Sequence, residues 1–264
     1  MSRRDLSHPP NGPSILFEEL DPEKAYQSLD GYDHFFSDTL RAHVRCIQMR
    51  ISEAQTLLDR AERRFRDHEI NGETLADYFR HRMITYEHAV LKEALAPSVE
   101  TCAETDRQCD KLEDIEYIQN NIQYWQAQTA EVARHRILRG KHHEALSILG
   151  ELMEELEGEV RIKHVTFYQL MAAASLGAGL DEQARKCIDN VSLGMGFVTQ
   201  PFFLLTFSYK MYGLLSAWGL RDEAKPWLKR ANAVPCSDEV RQLCQLKTDT
   251  FLRASAATQC VYVY

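Results

Sequence analysis

Histidine, carboxylate and cysteine side chains at helical spacing are the residues of this chain that could do chemistry. Asp77 and His81 stand four apart, and His88 follows seven later. On one helix these three share a face, where they could form a metal site or an acid/base pair. The expected arrangement is the plainer one, a surface i,i+4 hydrogen bond between Asp77 and His81. His142-His143-Glu144 lacks the second histidine of HExxH, so a catalytic zinc is not expected there. Cys102 and Cys109 share a helical face, but none of the cysteines has a histidine at diagnostic spacing, and they read as small buried hydrophobes. Gly-x-Gly in GAGLDEQA (177–184) follows a helix, so it reads as an inter-helix turn and not as a phosphate loop. The acidic run Glu151, Glu154, Glu155, Glu157 and Glu159 reads as a solvated helix end, with a site for basic ligands as the alternative. Arg60-x-x-Arg63-Arg64-x-Arg66 likewise reads as a solvated face, with a docking patch as the alternative.

The elements that would carry these groups are helices. The 264 residues are 44% hydrophobic and 27% charged, and glycine (12) and proline (8) are scarce. A net charge of −8 disfavours nucleic-acid binding by the chain itself. Seven cysteines without a CxxC pair do not resemble a secreted disulfide framework. No stretch approaches 18 apolar residues, so neither a signal peptide nor a membrane span is expected. These points predict a cytoplasmic protein without membrane attachment, and no motif calls for a cofactor or metal.

Along the chain, residues 1–14 read as a disordered leader and 15–254 as one helical domain. Ser14 is expected to cap a short helix over ILFEEL. Asp21-Pro22 is a helix start, with aspartate as cap and proline at the first helical position. Helices are predicted over 32–49, 51–65, 74–95 (capped by Thr74), 98–112 and 115–138. The last of these pairs with 141–157, the pairs 161–178 with 181–193 and 200–218 with 221–233 follow, and a polar helix over 237–253 closes the stack. The alternating Val-Tyr-Val-Tyr ending suits an extended tail over 255–264, folded back on the last helix or docked on another chain.

One frame recurs. Gly140, Gly179 and Gly219 each precede an alanine by five residues, at Ala145, Ala184 and Ala224. Spacings of 39 and 40 residues mark stacked helical hairpins, in which the small alanines let paired helices approach closely. Ser52-Glu53-Ala54 occupies the same place in an earlier hairpin, but no glycine precedes it.

These hairpins resemble tetratricopeptide repeats, a helical-repeat family. The last carries Tyr212, Leu215, Gly219, Ala224, Trp227 or Leu228, Ala231 and Pro235. The middle one offers Tyr168, Leu170, Ala174, Gly179, Ala184 and Ile188, and the earliest Trp125, Val132, Gly140, Ala145 and Leu149. The period near 40 exceeds the family's usual length of about 34. The resemblance covers 115–235, the regular repeats, and 32–110 loosely. It implies an all-α solenoid of antiparallel hairpins, a right-handed superhelix of about five hairpins plus a capping helix. The first helix of each pair would line a concave face.

On that face the expected partner-binding residues are Tyr117, Asn121, Tyr124, Gln128, Lys163, Phe167, Phe203 and Lys210, with Arg134 and Gln169 as further polar contacts to a peptide backbone or carboxylate. Ala145, Gly179, Ala184, Gly219 and Ala224 are expected to pack the repeats. The leading reading is a non-catalytic scaffold for a protein or peptide partner, in a homo- or hetero-oligomer. Two alternatives stand beside it: a peptide- or ligand-responsive regulator acting through a partner, and a helical enzyme with a site the sequence does not reveal.

Overall fold

The computed structural model describes residues 19–31, 36–67, 74–115, 121–154 and 162–256, and side chains to 250 except at 162 and 163. The leader, the ILFEEL segment up to Glu18 and the VYVY tail lie outside the described residues. The described residues form twelve α-helices and no strand: α1 Pro22–Gln27, α2 Ser37–Ile47, α3 Ile51–Arg66, α4 Leu75–Leu95, α5 Val99–Glu113, α6 Ile122–Leu138, α7 His142–Glu154, α8 Ile162–Gly177, α9 Asp181–Gly194, α10 Pro201–Ala217, α11 Arg221–Asn232 and α12 Asp238–Ala256. A short 3₁₀ turn, Met195–Phe197, follows α9. None of the described helices is long and apolar enough to cross a membrane.

The chain divides into two compact units, one from Met1–Tyr124 with Cys236–Leu243, the other from Trp125–Pro235 with Cys244–Tyr264. In the first, α2 packs on α1, α3 and α4, and α4 packs on α3 and α5. In the second, α8 packs on α7, α9 and α10, and α10 packs on α11. Helices adjacent in sequence are therefore neighbours in space, as short connections require.

The recurring frame is a turn. Gly140, Gly179 and Gly219 have φ of 71°, 74° and 82°, the left-handed region open to glycine. The residue after each glycine donates its N–H back to a carbonyl five positions earlier, Lys141 to Arg136, Leu180 to Ser175 and Leu220 to Leu215, all at 2.8 Å. This closes the first helix in a Schellman turn. Ala145, Ala184 and Ala224, five residues on, are buried. The α2–α3 hairpin uses the same turn without glycine: Met49 has φ 58°, Arg50 donates to the Arg45 carbonyl at 2.9 Å, and Ala54 is buried. The hairpin whose glycine is missing is thus built like the other three.

One predicted boundary changes and one expected cap is not made. The expected helix over 115–138 is not continuous: Ile115 and Asn121 are non-helical, and α6 starts at Ile122. The Asn121 carboxamide accepts from the Gln123 and Tyr124 N–H groups at 3.2 and 3.4 Å, the local competition that makes asparagine a helix starter. At α4, Thr74 holds the cap position but makes no capping bond with its side chain. Asp21 and Ser98 do cap, and Ser98 forms a capping box with Thr101.

The two units bury different things. One apolar cluster runs through the second, including Ala133, Ile137, Leu149, Leu152, Ala172, Ala173, Ile188, Met211 and Leu214. In the first, smaller clusters (Leu29, Phe36, Leu40 and Phe65; Ala42, Leu57, Leu58 and Ile84) are interleaved with ions. Asp38, 1% exposed, takes a bidentate pair from Arg60 at 2.7 and 2.8 Å and has Arg41 and Arg64 at 3.6 and 3.5 Å. Arg60, Arg63 and Arg66 of the arginine run are exposed, as on a solvated face, while Arg60 and half-buried Arg64 also reach an acid on α2. Buried Arg45 lies 3.5 Å over the Tyr26 ring and reaches Glu23 and Glu53, tying α1, α2 and α3 together.

Candidate functional site

Between α3 and α5, with α4 as floor, lies a cavity of about 180 Å³ in the first unit. Among its lining residues is His81, 1% exposed. The Nε2 lies 3.0 Å from a Glu62 carboxylate oxygen and the Nδ1 3.0 Å from the Thr39 hydroxyl. The bond to His81, with the Arg82 guanidinium beside it, holds the Glu62 carboxyl at about 2, so it is an ionised acceptor. Nε2 must then carry the proton, and Thr39 donates to Nδ1. Burial lowers the His81 pKa and keeps the ring neutral. Arg82 completes the group, reaching Glu62 at 3.0 Å and the Tyr78 hydroxyl at 2.9 Å.

This overturns the expected surface bond between Asp77 and His81, because both imidazole nitrogens are spent on partners 19 and 42 residues away. It also leaves His81 no free lone pair to act as a base. Thr39 is fully buried, so its hydroxyl meets no substrate. His88, lower in the same face, donates to the Ile51 carbonyl at 3.1 Å and is held neutral by burial. No cluster of metal-ligating side chains occurs among the described residues.

The residues expected on a peptide-binding face are scattered. Asn121 caps α6, and half-buried Tyr124 stacks on Phe79 at 5.2 Å; both belong to the first unit. In the second unit Gln128 is 8% exposed and Phe167 4% exposed. Both are interior residues, which corrects their assignment to an exposed surface. Gln169 is buried too, and its amide donates to the Phe207 carbonyl at 3.0 Å, joining α8 to α10. Tyr117 and the Lys163 side chain lie outside the described residues. Phe203 and Lys210 remain half-buried, one heptad apart on the same face of α10. Phe203 stacks on Phe207 at 5.7 Å, and the acidic residues of the run at Glu151 and Glu154 are exposed.

Lys210 sits in a basic setting. Burial first, and then the Arg134 guanidinium, push its ammonium down to about 8; Lys247 adds to this and Glu131 opposes it. Arg134 pairs with Glu131 at 2.5 Å. Beside them the Tyr209 hydroxyl donates to Asn232 at 3.3 Å and accepts from Gln245 at 3.4 Å. None of the elements in His142-His143-Glu144 forms a metal centre: His142 lies buried over Gly177, where an added Cβ would come 2.4 Å from the ring. Burial pushes the Cys187 thiol up to about 11, away from the thiolate a nucleophile needs.

Comparison with family models, with curated proteins and with solved structures finds no match to this chain. The site is therefore read from its geometry alone.

Neither the depth of His81 nor the cation cluster was visible from local spacing. The signal that could have found the first was the coincidence of acids and bases on three successive helices, Asp38, Glu62 and His81, each on the apolar side of its own helix.

Proposed function

We propose that this chain is a non-catalytic binding module, a tetratricopeptide-like stack of helical hairpins whose second unit recognises an acidic segment of a protein or peptide partner. The solenoid reading is supported by the three glycine turns and by the packing of α8 on α7, α9 and α10. Equivalent places in successive hairpins also meet, as Arg185 beside Ala184 pairs with Glu223 beside Ala224 at 2.7 Å.

The observation that carries the binding reading is half-buried Lys210, on which Arg134 and Lys247 act with Glu131, the partner of Arg134, as the opposing acid, in a chain of net charge −8. Crowding cations against burial costs free energy, which an incoming carboxylate offsets. Phe203, a half-buried aromatic on the Lys210 face, supplies an anchor of the kind that dominates binding energy.

Fluorescence anisotropy with short labelled peptides tests this, using acidic, neutral and basic sets. The acidic set is expected to bind, to weaken with salt, and to lose about tenfold in affinity with Lys210→Met. Absence of binding by the acidic set, or unchanged affinity after the substitution, would contradict the reading. The regulatory alternative is favoured by a separate feature, the cavity of the first unit.

A further inference from the structure

We propose that His142 is an acid-sensitive latch in the second unit: its neutral ring seats the first turn of α7 on α8, and protonation of that ring releases the turn.

His142 is the first residue of α7 and is 4% exposed. Its ring lies against Gly177, the last residue of α8. A Cβ built there would come 2.4 Å from Cε1 and 2.5 Å from each ring nitrogen, so only glycine leaves this edge of the imidazole room. Nδ1 and Nε2 are both buried, and neither has a hydrogen-bond partner. His81 and His88 are buried differently, because their bonded nitrogens meet hydroxyl, carboxylate or carbonyl oxygens. A neutral imidazole leaves one N–H unsatisfied in such a place. A protonated one leaves two, both carrying charge, with no acceptor to receive them.

The surroundings oppose the proton as well. Burial is the larger cause that lowers the His142 pKa, and the neighbouring His143 adds to it. A cation at a helix N-terminus also meets the positive end of the helix dipole. Arg139 and Lys141, in the turn before α7, are cations too. Glu144 is exposed and turns to Arg136 of α6 at 3.5 Å and to Lys141 at 3.6 Å. The end of α8 brings no counter-charge, since residues 171–180 include no titratable side chain. On α9, Asp181 and Glu182 are exposed, and Glu182 pairs with Lys186 at 2.8 Å.

The folded ring therefore stays neutral, while a released ring takes up a proton near the ordinary 6.5. The latch is closed above that pH and loosens as pH falls below it. The movement is confined to the first turn, because Ala145, Leu149 and Leu152 hold the rest of α7 in the apolar cluster. None of the residues of the proposed binding surface takes part, so the two readings fail separately.

Two measurements on the full chain test this. Nitrogen NMR of histidine-labelled protein is expected to show His142, assigned by its loss in His142→Phe, titrating below 6.5. Hydrogen exchange between about pH 7.5 and 5, corrected for the intrinsic effect of pH, reads the opening of the turn. Protection over residues 145–147, where the Ala145 N–H donates to the Lys141 carbonyl at 3.0 Å, is expected to fall by up to about tenfold for each pH unit below 6.5. His142→Phe keeps a ring that cannot titrate and is expected to make protection independent of pH. Gly177→Ala pushes the ring out at every pH, so protection there is expected to be low and flat, with His142 titrating near 6.5. An unshifted His142 in the parent, protection that does not change with pH in the parent, or the parent's pH dependence surviving in either variant would overturn the proposal.

Discussion

The α2–α3 hairpin of the first unit and the α8–α9 hairpin of the second turn on the same backbone, with a left-handed residue followed five positions later by a buried alanine. What fills the space between their helices differs. Around α8 lie Ala172, Ala173, Ala174, Ile188 and Val191, and around α2 lie Asp38, Thr39 and Arg45 with Arg60, Glu62 and His81 brought in from α3 and α4. The difference teaches that the turn, not the core, is what the hairpins share. Apolar contacts are themselves indifferent to pH and salt, although Lys210 and buried His142 give the second unit titrating groups of its own. An ionic interior gives up that indifference. All three tryptophans, Trp125, Trp218 and Trp227, belong to the second unit, so their emission reports on that unit alone.

Four perturbations sharpen the contrast. The largest effect is expected from Leu149→Ala, which empties part of the second unit's apolar cluster and costs about 3 kcal/mol. Denaturant unfolding followed by tryptophan emission measures it, and its size is expected not to change with salt. Next, Asp38→Ala strands Arg60 and Arg64 and costs about 3 kcal/mol or slightly less, because Arg60 is half exposed. Hydrogen exchange read by mass spectrometry is expected to show the loss in α2 and α3, with the tryptophan transition unmoved. Third, Lys210→Met is expected to stabilise the second unit by about 2 kcal/mol at neutral pH. The folded ammonium titrates near 8 and the unfolded near 10.5, so the penalty is complete below pH 8 and fades as pH rises through that window; the gain from methionine should fade with it. The smallest effect is at the turns. Met49→Gly is expected to stabilise by about 1 kcal/mol and Gly179→Ala to destabilise by about the same. A Cβ at Gly179 meets nothing within 4 Å, so that cost is one of backbone conformation alone.

The turns were the part of the fold most legible in the sequence, because a glycine and an alanine five residues apart are both fixed by local geometry. Met49 hid one of them: a left-handed backbone does not announce itself in a methionine, and only the alanine at 54 marked the place. Asn121 shows the reverse error. Helical periodicity ran through it, while its carboxamide competed for the backbone and started a new helix. At the candidate site, the spacing of Asp77 and His81 could name only partners on one helix, whereas the real ones, Thr39 and Glu62, arrive from two others. The interior positions of Gln128 and Gln169 were illegible for a similar reason. Glutamine reads as surface until a carbonyl such as that of Phe207 is brought within reach.

Acid separates the two kinds of interior most directly. The Glu62 carboxyl titrates near 2 in the folded chain and near 4.5 unfolded, so its contribution is complete above 4.5 and is lost as pH falls towards 2. Neutral His81 works in the same direction, since below about 6.5 the unfolded chain gains a proton that the buried ring refuses. Digestion of the full chain with pepsin at stepwise lower pH, with fragments identified by mass, is the decisive measurement. An ion-held first unit predicts that the earliest cuts fall between residues 36 and 115, while Trp125–Pro235 is cut only at lower pH or later times. First cuts within Trp125–Pro235, or simultaneous cutting of both units, would contradict it.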